Sequence, residues 1–296
     1  MERGGFVRLL VDLVIGGAIL GAVYSLVASG LNLQYGVTRI LNVAHGEFLM
    51  LGAYLTYFCF SLWHINPFSS VVLTGPFMFL LGLVVYRTLL RGVVASSTGE
   101  ELEFRSLLLC FGLSFVIQNL AIVLWTANYR SYRALSLGTI DILGVGFETE
   151  RIIVAFLSIS INVFLYLFLK FTRLGIAMRA AVEQREGTQL VGIDVFKICA
   201  LSFSLSILLA SWAGALISVL NSTISPFMGT PYTIVALVLV ILAGIGSFKG
   251  NILGGFIFGY LSYITMRVVH PALTLVVVYA VLILILLIKP TGLFAR

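Results

Sequence analysis

The chain has 296 residues, of which 60% are apolar and only 10% charged, against about a quarter charged in soluble domains. Such a composition cannot cover the polar surface of a soluble domain, so the chain reads as a polytopic membrane protein, not a secreted disulfide scaffold, a disordered tail or a nucleic-acid-binding domain. The net charge of +6 is scattered between long apolar runs without a basic helix, the pattern of cytoplasmic loops rather than of a nucleic-acid surface.

A membrane-spanning helix needs about 20 apolar residues, and nine stretches approach that length, near 13–33, 42–62, 68–86, 106–127, 152–171, 198–220, 233–248, 252–269 and 272–289. The first is too long for a cleavable signal peptide. The second opens on Asn42, His45 and Glu47, and the short seventh and eighth meet at Gly244–Gly250. Either feature marks a broken or re-entrant helix, so the fold class is an all-α transmembrane bundle of about eight to ten spans. Basic residues orient it. With the N-terminus outside, twelve fall in inner segments, from Arg39 to Arg296, and six outside: Arg3, Arg8, Arg130, Arg133, Arg151 and Arg267. That ratio favours N-out, C-in.

Two connections are long enough to hold structure. Asn128–Glu150, with alternating apolar residues and Gly144 and Gly146, predicts an external hairpin. Thr172–Lys197 is densely charged yet interleaved with Ile176, Met178, Ala181, Val182, Leu190 and Ile193, which predicts two short helices broken around Glu186-Gly187 and docked against something. Arg179 and Glu183 stand one turn apart and can pair with each other or with a partner; Gly187 and Gly192 suit tight turns.

Small residues recur every fourth position at Gly17, Gly21, Ser25 and Ser29, and again at Ser202, Ser206, Ala210, Gly214 and Ser218. In lipid such stripes let helix backbones approach closely; Ser206, Ala210 and Gly214 are therefore expected to accept Ala and reject Leu. Gly250, Gly254, Gly255 and Gly259 form a third surface.

No phosphate-binding G-x-x-x-x-G-K-[ST] loop and no HExxH occurs, so neither ATP hydrolysis nor a zinc helix is expected, and no catalytic residue, metal or cofactor is assigned. Cys59, Cys110 and Cys199 are dispersed packing residues. Buried ionisable groups are scarce, Asp12 and Glu47 being the acidic ones within the helices, which argues against an ion-coupled secondary carrier. A haem or other enzyme site at His45 is a further alternative.

The densest polar feature runs from Gly36 to Glu47. Two readings of it stand open. Gly36 ends one helix and Asn42, His45, Gly46 and Glu47 begin a half-helix facing a substrate pathway; or Asn42 merely caps that helix and His45 bonds a neighbouring carbonyl.

These residues carry a resemblance. Gly30-Leu31-x-Leu33-x-x-Gly36-Val37, Asn42-x-Ala44-His45-Gly46 and Met50-x-Gly52-Ala53-Tyr54 resemble the H-type permease subunits of branched-chain amino-acid (leucine/isoleucine/valine) ABC importers. The likeness continues through Arg179-Ala180-x-x-Glu183, Leu190-x-Gly192-Ile193, Ala213-Gly214 and Gly244-x-Gly246-Ser247-x-x-Gly250, and closes at Lys289-Pro290-Thr291-Gly292-Leu293. Gln184, Thr188 and Lys249 depart from the family pattern, which bears on the substrate: relatives import urea, short amides and other small carboxylates.

The resemblance implies a single permease domain over residues 1–296, type II-like, in the bacterial inner membrane. It implies pairing with an M-type permease, two cytoplasmic ATP-binding subunits and a periplasmic substrate-binding protein, with membrane lipid around it and no nucleic acid. It makes residues 172–197 the cytoplasmic coupling segment, with Arg179, Ala181, Glu183 and Gly192 as the residues that meet the ATPase.

Overall fold

The computed structural model describes residues 3–132, 137–289 and 292–293. Arg133, Arg296 and the Pro290-Thr291 pair of the closing motif lie outside the described residues. In chain order the helices are α1 (Arg3–Thr38), α2 (His45–Trp63), α3 (Pro67–Val85), α4 (Arg91–Ser96), α5 (Gly99–Trp125), α6 (Thr149–Phe171), α7 (Arg173–Glu183), α8 (Arg185–Leu190), α9 (Val195–Asn221), α10 (Gly229–Ala243), α11 (Phe248–Ile264) and α12 (Thr274–Ile288). A π-helical turn, Tyr86–Leu90, fuses α3 to α4, and a second, Thr265–Val269, extends α11. Among the described residues six helical segments are long and apolar enough to cross a membrane: Gly5–Thr38, Pro67–Ser96, Gly99–Trp125, Thr149–Phe171, Val195–Asn221 and Phe248–Val269. With α2, α10 and α12 they account for the nine apolar stretches in the sequence.

Two groups of charged residues mark opposite ends of the bundle. At one end Arg267 reaches the Asp12 carboxylate at 2.8 Å while the Tyr263 hydroxyl donates to its other oxygen at 2.9 Å. Arg8 lies there beside Gly144 of the expected hairpin, β2 (Thr139–Ile142) against β3 (Val145–Glu148). A short pairing of β1 (Arg130–Ser131) with β4 (Thr223–Ile224) ties the same end together. At the other end Tyr35 bonds Glu103, Asn32 bonds the Gly246–Ser247 turn, and the backbone N–H of Leu293 bonds the Leu242 carbonyl. The basic residues assigned to the inner loops from Arg39 to Lys289 gather at this second end.

The helices form two halves of opposite direction. Long α1 packs along α11 as long α9 packs along α3, and α1 and α9 cross each other. Each long helix stops at a non-glycine residue in the left-handed region, Arg39 (φ 56°) and Ser222 (φ 54°). The chain then turns back into the bundle and starts a shorter helix, α2 or α10. Both α3 and α11 end in π turns carrying an arginine, Arg87 and Arg267. An inverted-topology repeat of this kind places its symmetry axis at membrane mid-depth.

The small-residue stripes lie where the long helices cross. Ser25 and Gly21 of α1 face Gly255 and Gly259 of α11, and Ser204 and Ile207 of α9 face Gly82 of α3. Polar side chains reinforce the α1 crossing. Ser29 donates to Asn162 Oδ1 of α6 at 2.6 Å, Asn162 Nδ2 donates to the Ser25 hydroxyl at 3.0 Å, and Asn251 Nδ2 of α11 reaches the Ser29 hydroxyl at 2.9 Å. Interhelical hydrogen bonds in membrane proteins average about 0.6 kcal/mol each. Replacing Asn162 with Leu removes two of them and leaves Ser25 and Ser29 partly unpaired. A loss of roughly 1–2 kcal/mol, read as a lower unfolding midpoint in detergent, is the expected result.

Candidate functional site

The Gly36–Glu47 segment departs from its sequence reading at three points. The first helix does not end at Gly36 but runs on to Thr38, where the Thr38 hydroxyl donates to the Gln34 carbonyl and accepts from the Ile40 N–H. Gly36 lies within the helix and packs closely against Gly246, where a Cβ would stand 3.0 Å from the Gly246 Cα. Asn42 does not cap α2: the N-cap is Ala44, without a side-chain bond, and Asn42 Nδ2 instead donates to Gln34 Oε1 at 3.1 Å. Asn42 therefore lies in the re-entrant loop, ahead of the half-helix it was expected to begin with His45, Gly46 and Glu47.

That loop brings the start of α2 to mid-depth. His45 is fully buried, with Nε2 3.0 Å from the Val27 carbonyl and Nδ1 3.5 Å from the Ser206 hydroxyl. Val27 lies about 16 Å from the end of α1 at Thr38, and Ser206 about 16 Å from the start of α9 at Val195, at 1.5 Å per residue. Both distances are half of a hydrocarbon core of about 30 Å. The carbonyl bond anticipated for His45 is thus present, and it locks α2 to both long helices.

At the same depth α10 begins, pointing the other way. Gly46 and Gly229 touch through their backbones: a Cβ on Gly46 would collide with the Gly229 carbonyl oxygen, and one on Gly229 would stand 2.6 Å from that of Gly46. Only glycine at both positions permits this approach. A helix start leaves N–H groups without partners, and here α2 draws on α10 for one of them. The Gly46 N–H donates to the Thr233 hydroxyl of α10 at 2.8 Å. In return the Glu47 carboxylate of α2 lies against Gly229 and accepts from the Thr230 hydroxyl at 3.3 Å. Both helix starts turn their positive ends toward this side chain.

The centre is polar and incompletely satisfied. Glu47 is 2% exposed, yet its Oε2 has no hydrogen-bond partner among the described residues. Gln34 Nε2 and Asn42 Oδ1, both buried, share that state. Of these atoms Glu47 Oε2 stands at the meeting of the two half-helices, where it can receive a hydrogen-bonding guest; Gln34 and Asn42 lie nearer the end of α1, Gln34 about 6 Å from Thr38 at 1.5 Å per residue. Among the described residues no group of His, Cys, Asp and Glu could hold a metal ion.

Gly229, Thr230 and Thr233 escaped the sequence reading because the seventh apolar stretch seemed to begin at Thr233. The available signal was Gly229-Thr230-Pro231, a helix-opening pattern.

The second set of candidates lies at the far end. Arg179, Ala181 and Glu183 sit on α7, and Gly192 follows α8 with φ 82°. The two helices break at Gln184, two residues before the expected Glu186-Gly187. Arg179 does not pair with Glu183; its guanidinium bonds the Lys170 carbonyl at 3.4 Å. Ala181, like Ala177 and Met178, is buried against the bundle, whereas Leu190 and Val191 are 89% and 74% exposed. Asp194 caps α9 by accepting from the Lys197 N–H, which holds its carboxyl below the usual range.

The family model described as branched-chain amino acid transport system, permease component, matches residues 13–286. The high-affinity branched-chain amino acid transport system permease protein BraD of Pseudomonas aeruginosa is 29% identical, covering 96% of this chain and 95% of its own. The LivH permease protein of Escherichia coli is 27% identical over 95% and 94% of the two chains, and a probable LivH of Methanocaldococcus jannaschii 28% over 82% and 77%. No solved structure matches the chain.

Proposed function

This chain belongs to the branched-chain amino acid transport system permease component family, and from that premise we propose that it is the membrane-spanning subunit of an ATP-driven importer for branched-chain or related small amino acids. The observation that carries the reading is the polar centre at mid-depth, where two half-helices of opposite direction meet at Gly46 and Gly229. In inverted-repeat transporters such a junction is where substrate is held while the two halves rock. Glu47 offers the unpaired atom at the junction, Asn42 and Gln34 offer further ones toward the end of α1, and His45 with Gly46 fixes the junction against α1, α9 and α10.

The chain is a non-catalytic permease: it carries no phosphate loop, so the driving force enters by contact. Its partners in this reading are a second, M-type permease, two cytoplasmic ATP-binding subunits and a periplasmic binding protein. Residues 172–197 form the coupling segment, and its exposed Leu190 and Val191 are the surface a partner would cover.

The test is Glu47→Gln in the assembled importer. The substitution keeps the shape and the Thr230 bond and removes the charge between two helix starts. Uptake of labelled leucine is expected to fall at least tenfold, about 1.4 kcal/mol in transition-state terms, with complex yield unchanged. Unchanged uptake would remove Glu47 from the pathway; lost yield with proportionate uptake would make it a purely structural carboxylate.

A further inference from the structure

The end of the bundle that bears the coupling segment holds a cavity of about 240 Å³ between α1, α6, α7 and the turn into α11. Three cations line it, Lys170 from the last turn of α6, Arg179 from α7 and Lys249 from the first turn of α11. No acidic side chain joins them in the lining, and among the described residues none of the three forms a salt bridge. Three like charges converging on one cavity repel one another unless an anion is present.

The walls say what kind of anion. Tyr166 and Phe248 stack at 6.0 Å to form one side, and Lys170 Nζ lies 5.0 Å from the centre of the Phe171 ring. Leu33, Leu169 and Val182 make the rest largely apolar. Asn32 is already spent on the Gly246 N–H and the Ser247 carbonyl, leaving recognition to charge. The volume is below the roughly 300–1,000 Å³ of sites that enclose a whole organic ligand, so it suits a headgroup whose remainder lies outside. Outside, Phe164, Leu167 and Phe171 form an exposed apolar ridge on α6 at helical spacing, leading to Lys170. Basic pockets between transmembrane helices at the cytoplasmic interface bind anionic headgroups in this way, and an arginine fork matches a phosphate.

We propose that this cavity binds a phosphate-bearing anion, the headgroup of an anionic phospholipid whose acyl chains lie along the Phe164–Phe171 ridge of α6. The lipid then bridges the coupling helix α7 to the spans α6 and α11. The site is independent of the substrate reading above.

The experiment is native mass spectrometry of the purified full chain titrated with phosphatidylglycerol or phosphatidylcholine, with inorganic phosphate as competitor. Phosphatidylglycerol is expected to be retained in preference, and Lys170→Gln with Lys249→Gln to weaken it about 25-fold, roughly fivefold for each charge near the surface. Phosphatidylcholine retention should not change, nor should Lys197→Gln, whose lysine pairs with Asp194, affect either lipid. Should the double glutamine variant not fold, the double arginine variant retains the charges and should bind like the parent. Equal retention of the two lipids, or of phosphatidylglycerol by parent and double variant, overturns the proposal. Displacement of phosphatidylglycerol by equimolar inorganic phosphate overturns the lipid as occupant and makes the site one for free phosphate.

Discussion

Replacing Leu190 and Val191 together with aspartate is expected to give a folded permease that no longer imports. Both side chains project from the end of α8, 89% and 74% exposed, and substitutions at such positions cost the chain itself within about 0.5 kcal/mol. Apolar side chains displayed at the tip of a charged loop are what a partner buries. Anchor residues of an interface are worth about 2 kcal/mol or more each, so two charges there should weaken docking of the ATP-binding subunits by roughly a thousandfold. Co-purification of those subunits and ATP-dependent uptake should fall together, while the unfolding midpoint of the isolated chain holds. The other candidates make poorer probes. Ala181 is packed against the bundle, so enlarging it disrupts the fold, and Gly192 at φ 82° strains any side chain placed there. If the double aspartate variant transports like the parent, the docking surface lies elsewhere.

Gly214→Ala should be among the most damaging single-atom additions available to this chain. The stripe containing it was expected to tolerate alanine, and at Gly214 the structure corrects that expectation. A Cβ there would collide with the Leu49 carbonyl oxygen and stand 3.2 Å from the Ala53 N–H, both backbone atoms of α2. No side-chain rotation relieves it; α2 must move away from α9, and the His45 bonds and the Gly46–Gly229 junction move with it. Overpacking costs about 1–3 kcal/mol where side chains can yield, and the rigid backbone puts this case at or above the upper end. Gly112→Ala is the control, since nothing lies within 4 Å of a Cβ there. It should be neutral or stabilising by up to about 1 kcal/mol from helix propensity. A Gly214→Ala chain with parental stability would mean that α2 and α9 are not packed as described.

Much of the architecture is legible from residues because lipid imposes a simple rule: every span must be apolar and hydrogen-bonded within itself. The apolar stretches follow from that rule, and the hairpin over 139–148 from its alternating apolar residues with Gly144 and Gly146. What was not legible depends on depth. Periodicity cannot say that α2 starts halfway across the membrane, since the return of residues 39–44 rests on the left-handed Arg39 and on the Leu41 N–H bonding Ser106 of α5. Nor could it pair Gly46 with Gly229 or Glu47 with Thr230, separated by some 183 positions and joined only when two opposite halves close on each other. The capping role read into Asn42 failed for the same reason. Capping rules are local, whereas the Gly46 N–H in the first turn of α2 is satisfied by Thr233 of a distant helix.

How energy reaches the polar centre separates an ATP-driven permease from an ion-coupled carrier. The most direct measurement is uptake of labelled leucine, isoleucine or valine into proteoliposomes holding this chain with or without the proposed second permease, ATP-binding subunits and substrate-binding protein. Uptake that requires the complete set and ATP, and ceases when the ATP-binding subunits are left out, is the predicted result. Accumulation by the chain alone, driven by an imposed proton or sodium gradient, would contradict it and make the Glu47 centre that of an ion-coupled carrier.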